Sequence, residues 1–189
     1  AMLNEGCFCT TLDRAALGAA VSAQAEDPDL ISMLLLARPE LFSNTAVFLS
    51  GRDLDAMLGL VAAVEAAAEN KAYQEAVLEW APPIARHDFG PRGAFMGYDF
   101  HLAEGGPRLI EVNTNAGGAY LNALLARAQR ACCREAEPGG RAALLDEFDA
   151  AVWRMFLAES ELQGRASKPR TIAIVDDRPE AQYLFPEFL

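Results

Sequence analysis

Two alternating segments, Ala94 to Ala103 and Arg108 to Val112, flank the run Glu104-Gly105-Gly106-Pro107. This constrains the fold more than any other stretch, because turn chemistry between two alternating runs predicts an antiparallel β-hairpin. Side chains alternate along a strand, so Met96, Tyr98, Phe100 and Leu102 share one face, and Phe95, Gly97, Asp99 and His101 the other. The first set is apolar and reads as the core side. Ile110 and Val112 are expected to join it, which sends Leu109, Glu111 and Asn113 to the face of Asp99 and His101. Opposed residues share a face, so the expected register pairs Asp99 with Glu111, Phe100 with Ile110 and Leu102 with Arg108. The loop is then Ala103 to Pro107. A two-residue Gly105-Gly106 turn would instead set Asp99 opposite Val112 and split the apolar sets.

Two carboxylates opposed across a ladder lie with their Cβ atoms about 5 Å apart, a destabilising arrangement unless something bridges them. A divalent cation is the natural bridge. Asp99, Glu111 and the amide oxygen of Asn113 form an all-oxygen set suited to Mg²⁺ or Mn²⁺, with phosphate oxygens completing the octahedron. Zinc, which favours His and Cys, is not suggested. The plainer alternative is a solvated polar face of an antiparallel sheet. The loop that follows, Asn113 to Gly118, leads into a helical pattern, where glycines permit close backbone approach and free N–H groups can receive an anion.

The rest of the chain reads as mainly helical. Helices are expected over Leu12 to Ala25, from Pro28 behind an Asp27 cap to Ala37, and from a Ser50-x-x-Asp53 capping box to about Glu69. Others are expected over Tyr73 to Trp80, Ala119 to Glu135 and Ala142 to Leu162. Ala46 to Leu49 reads as a short strand. Pro82, Pro83, Gly90, Pro91 and Gly93 mark a loop holding His87 and Asp88, either a plain connector or a rigid segment able to carry a site. Thr171 to Val175 is a β-branched run consistent with a buried parallel strand, and Glu180 to Leu189 reads as the start of a helix.

The composition excludes several classes. Of 189 residues, 52% are hydrophobic and 23% charged, enough apolar material for a core. The 27 acidic residues outnumber 16 Lys and Arg, for a net charge of -11, and no basic stripe gathers the cations, which argues against nucleic acid as a partner. The apolar runs fall short of the roughly 18 residues that a membrane span needs. With no basic region ahead of an apolar stretch, the N-terminus does not resemble a secretory signal, and a cytoplasmic setting is the default expectation. Cys7, Cys9, Cys132 and Cys133 match neither a zinc-ribbon nor a Cys-x-x-Cys spacing and read as reduced thiols.

The string Tyr98-Asp99-Phe100, followed by Leu109-Ile110-Glu111-Val112-Asn113-Thr114-Asn115-Ala116-Gly117-Gly118, resembles the ATP-grasp superfamily. In that superfamily an Asp on one strand and a Glu-x-Asn on its neighbour hold magnesium bound to ATP phosphates. The resemblance implies that Asp99, Glu111 and Asn113 are metal ligands, and that Asn115, Gly117 and Gly118 face the acceptor substrate. His101 shares the polar face and is a further candidate for contact with substrate, by moving a proton or orienting a carboxylate. Ile172 to Asp177 looks like the opening strand of a pre-ATP-grasp domain, which in the common arrangement precedes the metal hairpin. The order is that of circularly permuted members similar to the glutathionylspermidine synthase group.

The resemblance therefore implies an α+β fold, mainly helical, with an ATP-grasp-type hairpin over residues 1–165. The first strand and helix of an incomplete α/β domain would follow over 166–189. It implies a Mg²⁺- and ATP-dependent ligase that joins a carboxylate to an amine through an acyl phosphate. Two departures leave the substrate class open. Gly97 stands where many of these ligases carry Arg, and their Asn-Thr-x-Pro-Gly becomes Asn113-Thr114-Asn115-Ala116-Gly117. Only Lys71 and Lys168 are available as lysines for nucleotide phosphates, and no residue stands out as a general base. Two other readings stay open: a noncatalytic helical module that binds a protein partner, and a degenerate ATP-grasp protein that binds without turnover.

Overall fold

The structure is a computed structural model that describes residues 11–45, 47–129, 139–165 and 167–189. The four cysteines, at positions 7, 9, 132 and 133, lie outside these, as does the expected helical stretch beyond 129. The fold is mixed α+β. In chain order it contains α1 (Arg14–Gln24), α2 (Pro28–Leu36), α3 (Gly51–Ala68), α4 (Lys71–Leu78), β1 (Met96–Ala103), β2 (Gly106–Thr114), α5 (Ala119–Ala128), α6 (Gly139–Leu162) and α7 (Phe185–Phe188). The chain divides into two compact units, one of Ala1–Phe48, Gly117–Leu157 and Lys168–Leu189, the other of Leu49–Ala116 and Ala158–Ser167.

The first unit holds every buried residue among those described. Asp13 caps α1 by accepting from the N–H groups of Ala15 at 3.0 Å and Ala16 at 3.1 Å. Asp27 caps α2 by accepting from Leu30 N–H at 2.9 Å, with Pro28 in the first turn, where its missing donor costs nothing. Leu17 and Val21, one helical turn apart, form the buried stripe of α1, which packs on α5. Leu12, Leu17, Phe42, Leu121 and Ala128 make the core, flanked by Leu35, Leu41, Leu124, Leu125 and Leu184. Burying one such leucine is worth about 1.5 to 3 kcal/mol.

Two expected strands do not form. Residues 47–49 have no ladder partner, and neither do residues 171–175. A parallel strand needs neighbours to satisfy its backbone groups, and the described residues contain one two-stranded antiparallel sheet only. The β-branched run is left without regular secondary structure and exposed, Val175 by 92%. The expected helix over 180–189 is likewise broken, into a 3₁₀ turn at Pro179–Ala181 and the short α7. Pro186, which has no N–H to donate, is tolerated there because it falls in the first turn.

In the second unit, Ser50 caps α3: its Oγ accepts from Asp53 N–H at 3.1 Å and donates to Asp53 Oδ2 at 2.6 Å. The expected Ser-Asp pair is present, with the carboxylate taking the hydroxyl proton. Asn70 caps α4 through Ala72 and Tyr73 N–H. The loop holding His87 and Asp88 is built as a structural connector. Asp88 accepts from Gly90 N–H at 2.8 Å, and Glu159 of α6 accepts from the N–H groups of Arg92 and Gly93. Gly90, at φ +88°, sits so close to the Leu162 carbonyl that a Cβ would fall 2.4 Å from its oxygen. His87 packs edge-on against Phe89, ring centres 4.4 Å apart.

β1 and β2 form an antiparallel hairpin whose β2 packs on α3. Ala103 pairs with Gly106, so the turn is the two residues Glu104-Gly105 rather than the longer loop expected. Leu102 then pairs with Pro107, His101 with Arg108 and Phe100 with Leu109. At the next step the ladder slips: Asp99 pairs with Glu111, and Ile110 is left over as a β-bulge. Beyond it Tyr98 pairs with Val112, Gly97 with Asn113 and Met96 with Thr114.

This corrects the expected register on the turn side of the bulge. Ile110 does not join the apolar face and is 65% exposed, Leu109 takes its place opposite Phe100 and is half-buried, and Val112 is also exposed. A bulge consumes one residue without a partner and so exchanges the faces of everything between it and the turn.

Candidate functional site

Tyr98 Oη donates to Glu65 on α3, so the face of β1 that carries Tyr98 and Phe100 is turned toward that helix. Asp99, His101, Glu111, Asn113 and Arg108 occupy the other, solvent-exposed face. The bulge sets the pairing of the two acids. Continued from the Glu104-Gly105 turn without a slip, the ladder would put Asp99 opposite Ile110; skipping one residue brings Glu111 there instead. Asn113 lies two positions further along β2 and donates from Nδ2 to Glu111 Oε1 at 2.9 Å. That bond orients the amide and leaves its carbonyl oxygen available, beside a carboxylate with accepting capacity to spare.

The donor set fits a hard divalent cation, with two opposed carboxylates and one amide oxygen on a single strand pair. Among the described residues no group of three or more His, Cys, Asp and Glu side chains is gathered for a metal. Asn115 follows in the left-handed region at φ 55°, a conformation that Asn accepts more readily than most residues. Gly97, across from Asn113, is packed over: a Cβ there would lie 2.9 Å from Ala116 Cβ. A side chain at this place would not fit unless Ala116 moved.

Gly117 and Gly118 belong to the first unit, at the start of α5. Gly118 has φ +99° and a Cβ on Gly117 would fall 2.8 Å from Leu184 Cδ1, so each position favours glycine. The donors at this helix start are not free. Glu187 accepts from Gly118 N–H with one carboxylate oxygen and from Tyr120 N–H with the other, the latter at 2.7 Å. The anion expected over these glycines is thus supplied by the chain itself. Partial burial, then the negative charges of Asp149 and Glu187, raise the Tyr120 phenol above its ordinary pKa. The Tyr98 phenol is also raised, first by its hydrogen bond to Glu65, then by desolvation and the charge of that carboxylate.

The first unit also carries an apolar pocket of about 330 Å³, open to solvent and lined by Val21, Ile31, Leu121, Leu124, Phe156 and Phe188 among others. Sequence reasoning missed Glu187 and misplaced Arg108. Glu187 acts on backbone groups 67 and 69 positions away, a contact with no local signal. Arg108 was hidden by the register: opposite Leu102 it would face the core, and opposite His101 it faces the carboxylates.

The chain matches no family profile, and no curated protein and no solved structure is significantly similar to it. Among the described residues no helix is long and apolar enough to cross a membrane.

Proposed function

We propose that this chain carries the metal hairpin of an ATP-grasp-like, Mg²⁺- and ATP-dependent carboxylate–amine ligase of the circularly permuted type. The observation that carries the reading is the β-bulge at Ile110, which opposes Asp99 and Glu111 with Asn113 on the same face. Like charges are not set across a ladder without cost, and a cation turns that cost into binding energy. In this reading Asp99, Glu111 and Asn113 hold Mg²⁺ or Mn²⁺, and His101 and Asn115 serve the substrate, while the expected role of Gly117 and Gly118 is set aside because Glu187 already occupies that helix start. Asp99, Glu111 and Asn113 would hold the metal, which would supply screening of phosphate charge for transfer of the γ-phosphoryl group of ATP to a substrate carboxylate, with ADP as the leaving group. An amine then displaces phosphate from the acyl phosphate. The residues' own part is to fix the phosphate chain in line with its acceptor. Small-molecule carboxylate and amine substrates, and a cytoplasmic setting, go with this function.

Calorimetric titration of Mg²⁺·ATP into the chain and into Asp99→Asn and Glu111→Gln tests it. The expected result is saturable binding that weakens in each variant by at least the roughly tenfold that loss of a group supporting a metal site costs. Equal heats in all three proteins would overturn the metal role. A second reading, a noncatalytic module that binds a protein partner, draws on the exposed apolar side chains of the second unit, with Trp80 at 78%. It requires that Glu111→Gln leave partner binding unchanged.

A further inference from the structure

We infer that Arg108, with His101 opposite it, is the oxyanion-binding half of the hairpin site, holding phosphate oxygens of a metal-bound polyphosphate beside Asp99 and Glu111. The inference rests on the metal reading above and adds a group that neither the sequence pattern nor the resemblance assigns.

Asp99 and Glu111 together neutralise one divalent cation, which leaves the charge of a polyphosphate uncompensated. A site for such a ligand needs a further cation within reach of the same oxygens. The chain has only two lysines, Lys71 and Lys168, neither of them on the hairpin. The position on β1 where related ligases carry arginine is Gly97, over which Ala116 packs. The hairpin's one arginine is Arg108.

Geometry brings it to the right place. The slip at Ile110 that opposes Asp99 to Glu111 also sets Arg108 opposite His101, on the carboxylate face. Two residues along a strand span about 7 Å, so the His101–Arg108 pair lies one same-face step from the acid pair. That spacing suits a phosphate chain that touches the metal at one end and the guanidinium at the other. A planar guanidinium offers paired N–H donors that match two phosphate oxygens, and the His101 ring can add another.

Arg108 also has no structural employment. It is exposed and among the described residues forms no ion pair or side-chain hydrogen bond, as is also true of Arg52 and Arg154; its distinction is its place on the carboxylate face of the hairpin. An arginine held beside two carboxylates by the backbone, and bonded to neither, is placed for a ligand that arrives with the metal.

The experiment separates this inference from the reading beneath it. Mn²⁺ binding is followed by electron paramagnetic resonance in the wild-type chain, Arg108→Gln, Arg108→Lys and Asp99→Asn, first with the metal alone and then with inorganic tripolyphosphate. Thermal unfolding of each variant confirms that it folds. Arg108→Gln is expected to bind Mn²⁺ alone as the wild type does, and to weaken Mn²⁺·tripolyphosphate by about tenfold, the cost of losing charge-assisted hydrogen bonds. Arg108→Lys, which keeps the charge and loses the fork, should fall between. If Arg108→Gln holds the complex as tightly as wild type while Asp99→Asn has lost it, Arg108 has no such role and the metal site stands. Mn²⁺ binding without any tripolyphosphate binding in the wild type overturns the inference alone. Failure of the wild type to bind Mn²⁺ overturns both.

Discussion

Glu187 fixes the start of α5 with one carboxylate, each oxygen accepting a backbone N–H that the helix cannot use. The same carboxylate contributes to the raised pKa of Tyr120, after burial and Asp149. The sign of the linkage follows. A phenol whose folded pKa lies above its unfolded value of about 10 favours the folded state while both forms are protonated, and that advantage is lost as pH rises through the folded pKa. Absorbance titration at alkaline pH, compared with Tyr120→Phe, is expected to show this tyrosine ionising later than a free phenol, and less late in Glu187→Gln. A Tyr120 signal unmoved by Glu187→Gln would show that the carboxylate does not reach it. At Gly97 the constraint is steric: Ala116 packs over the position, so a side chain there needs Ala116 to move.

At the scale of elements, the hairpin is two ladders joined by one slipped residue. Deleting Ile110 should leave Phe100 opposite Leu109 and let Glu111 step directly opposite Asp99, giving a regular ladder with the same acid pair. The expected outcome is Mn²⁺ affinity within about threefold of wild type, because the bulge alters twist and the pairing is kept. Loss of binding on deletion would show that the twist itself shapes the site. This arm also marks how far the residues alone could be read. The existence of the hairpin, the facing of Asp99 and Glu111 and the caps at Asp27 and Ser50 all follow from local chemistry that the structure repeats. The turn length and the bulge were not legible. A Glu104-Gly105 turn with a slip and a longer loop without one give the same acid pair, and only the neighbours of Leu109 and Arg108 tell them apart. Residues 171–175 show the opposite limit: β-branched composition signals a strand, but the strands that would pair with it are not among the described residues.

At the scale of the whole molecule, burial is uneven. Leu12, Leu17, Val21, Ile31, Phe42, Leu121, Ala123, Ala128 and Val152 all belong to the first unit, and no described residue of the second is buried. Local stability tracks buried apolar contact, so backbone amides of α1 and α5 should be more protected from hydrogen exchange than those of α3 and α4. Equal or reversed protection would show that exposure is a poor guide to the ranking. The net charge of -11 adds a second condition, since a polyphosphate must approach an anionic molecule and depends on local cations to do so.

The contact between Glu187 and Gly118 spans 69 positions of the chain. At about 5 to 20 residues per second, a ribosome needs about 3 to 14 s to travel from one partner to the other. Through that interval α5 is made with its first amides unclaimed, and it gains its closing carboxylate only when translation reaches the 180s. The order of synthesis therefore delays this closure of α5, whose residues are made well before the segment that supplies Glu187.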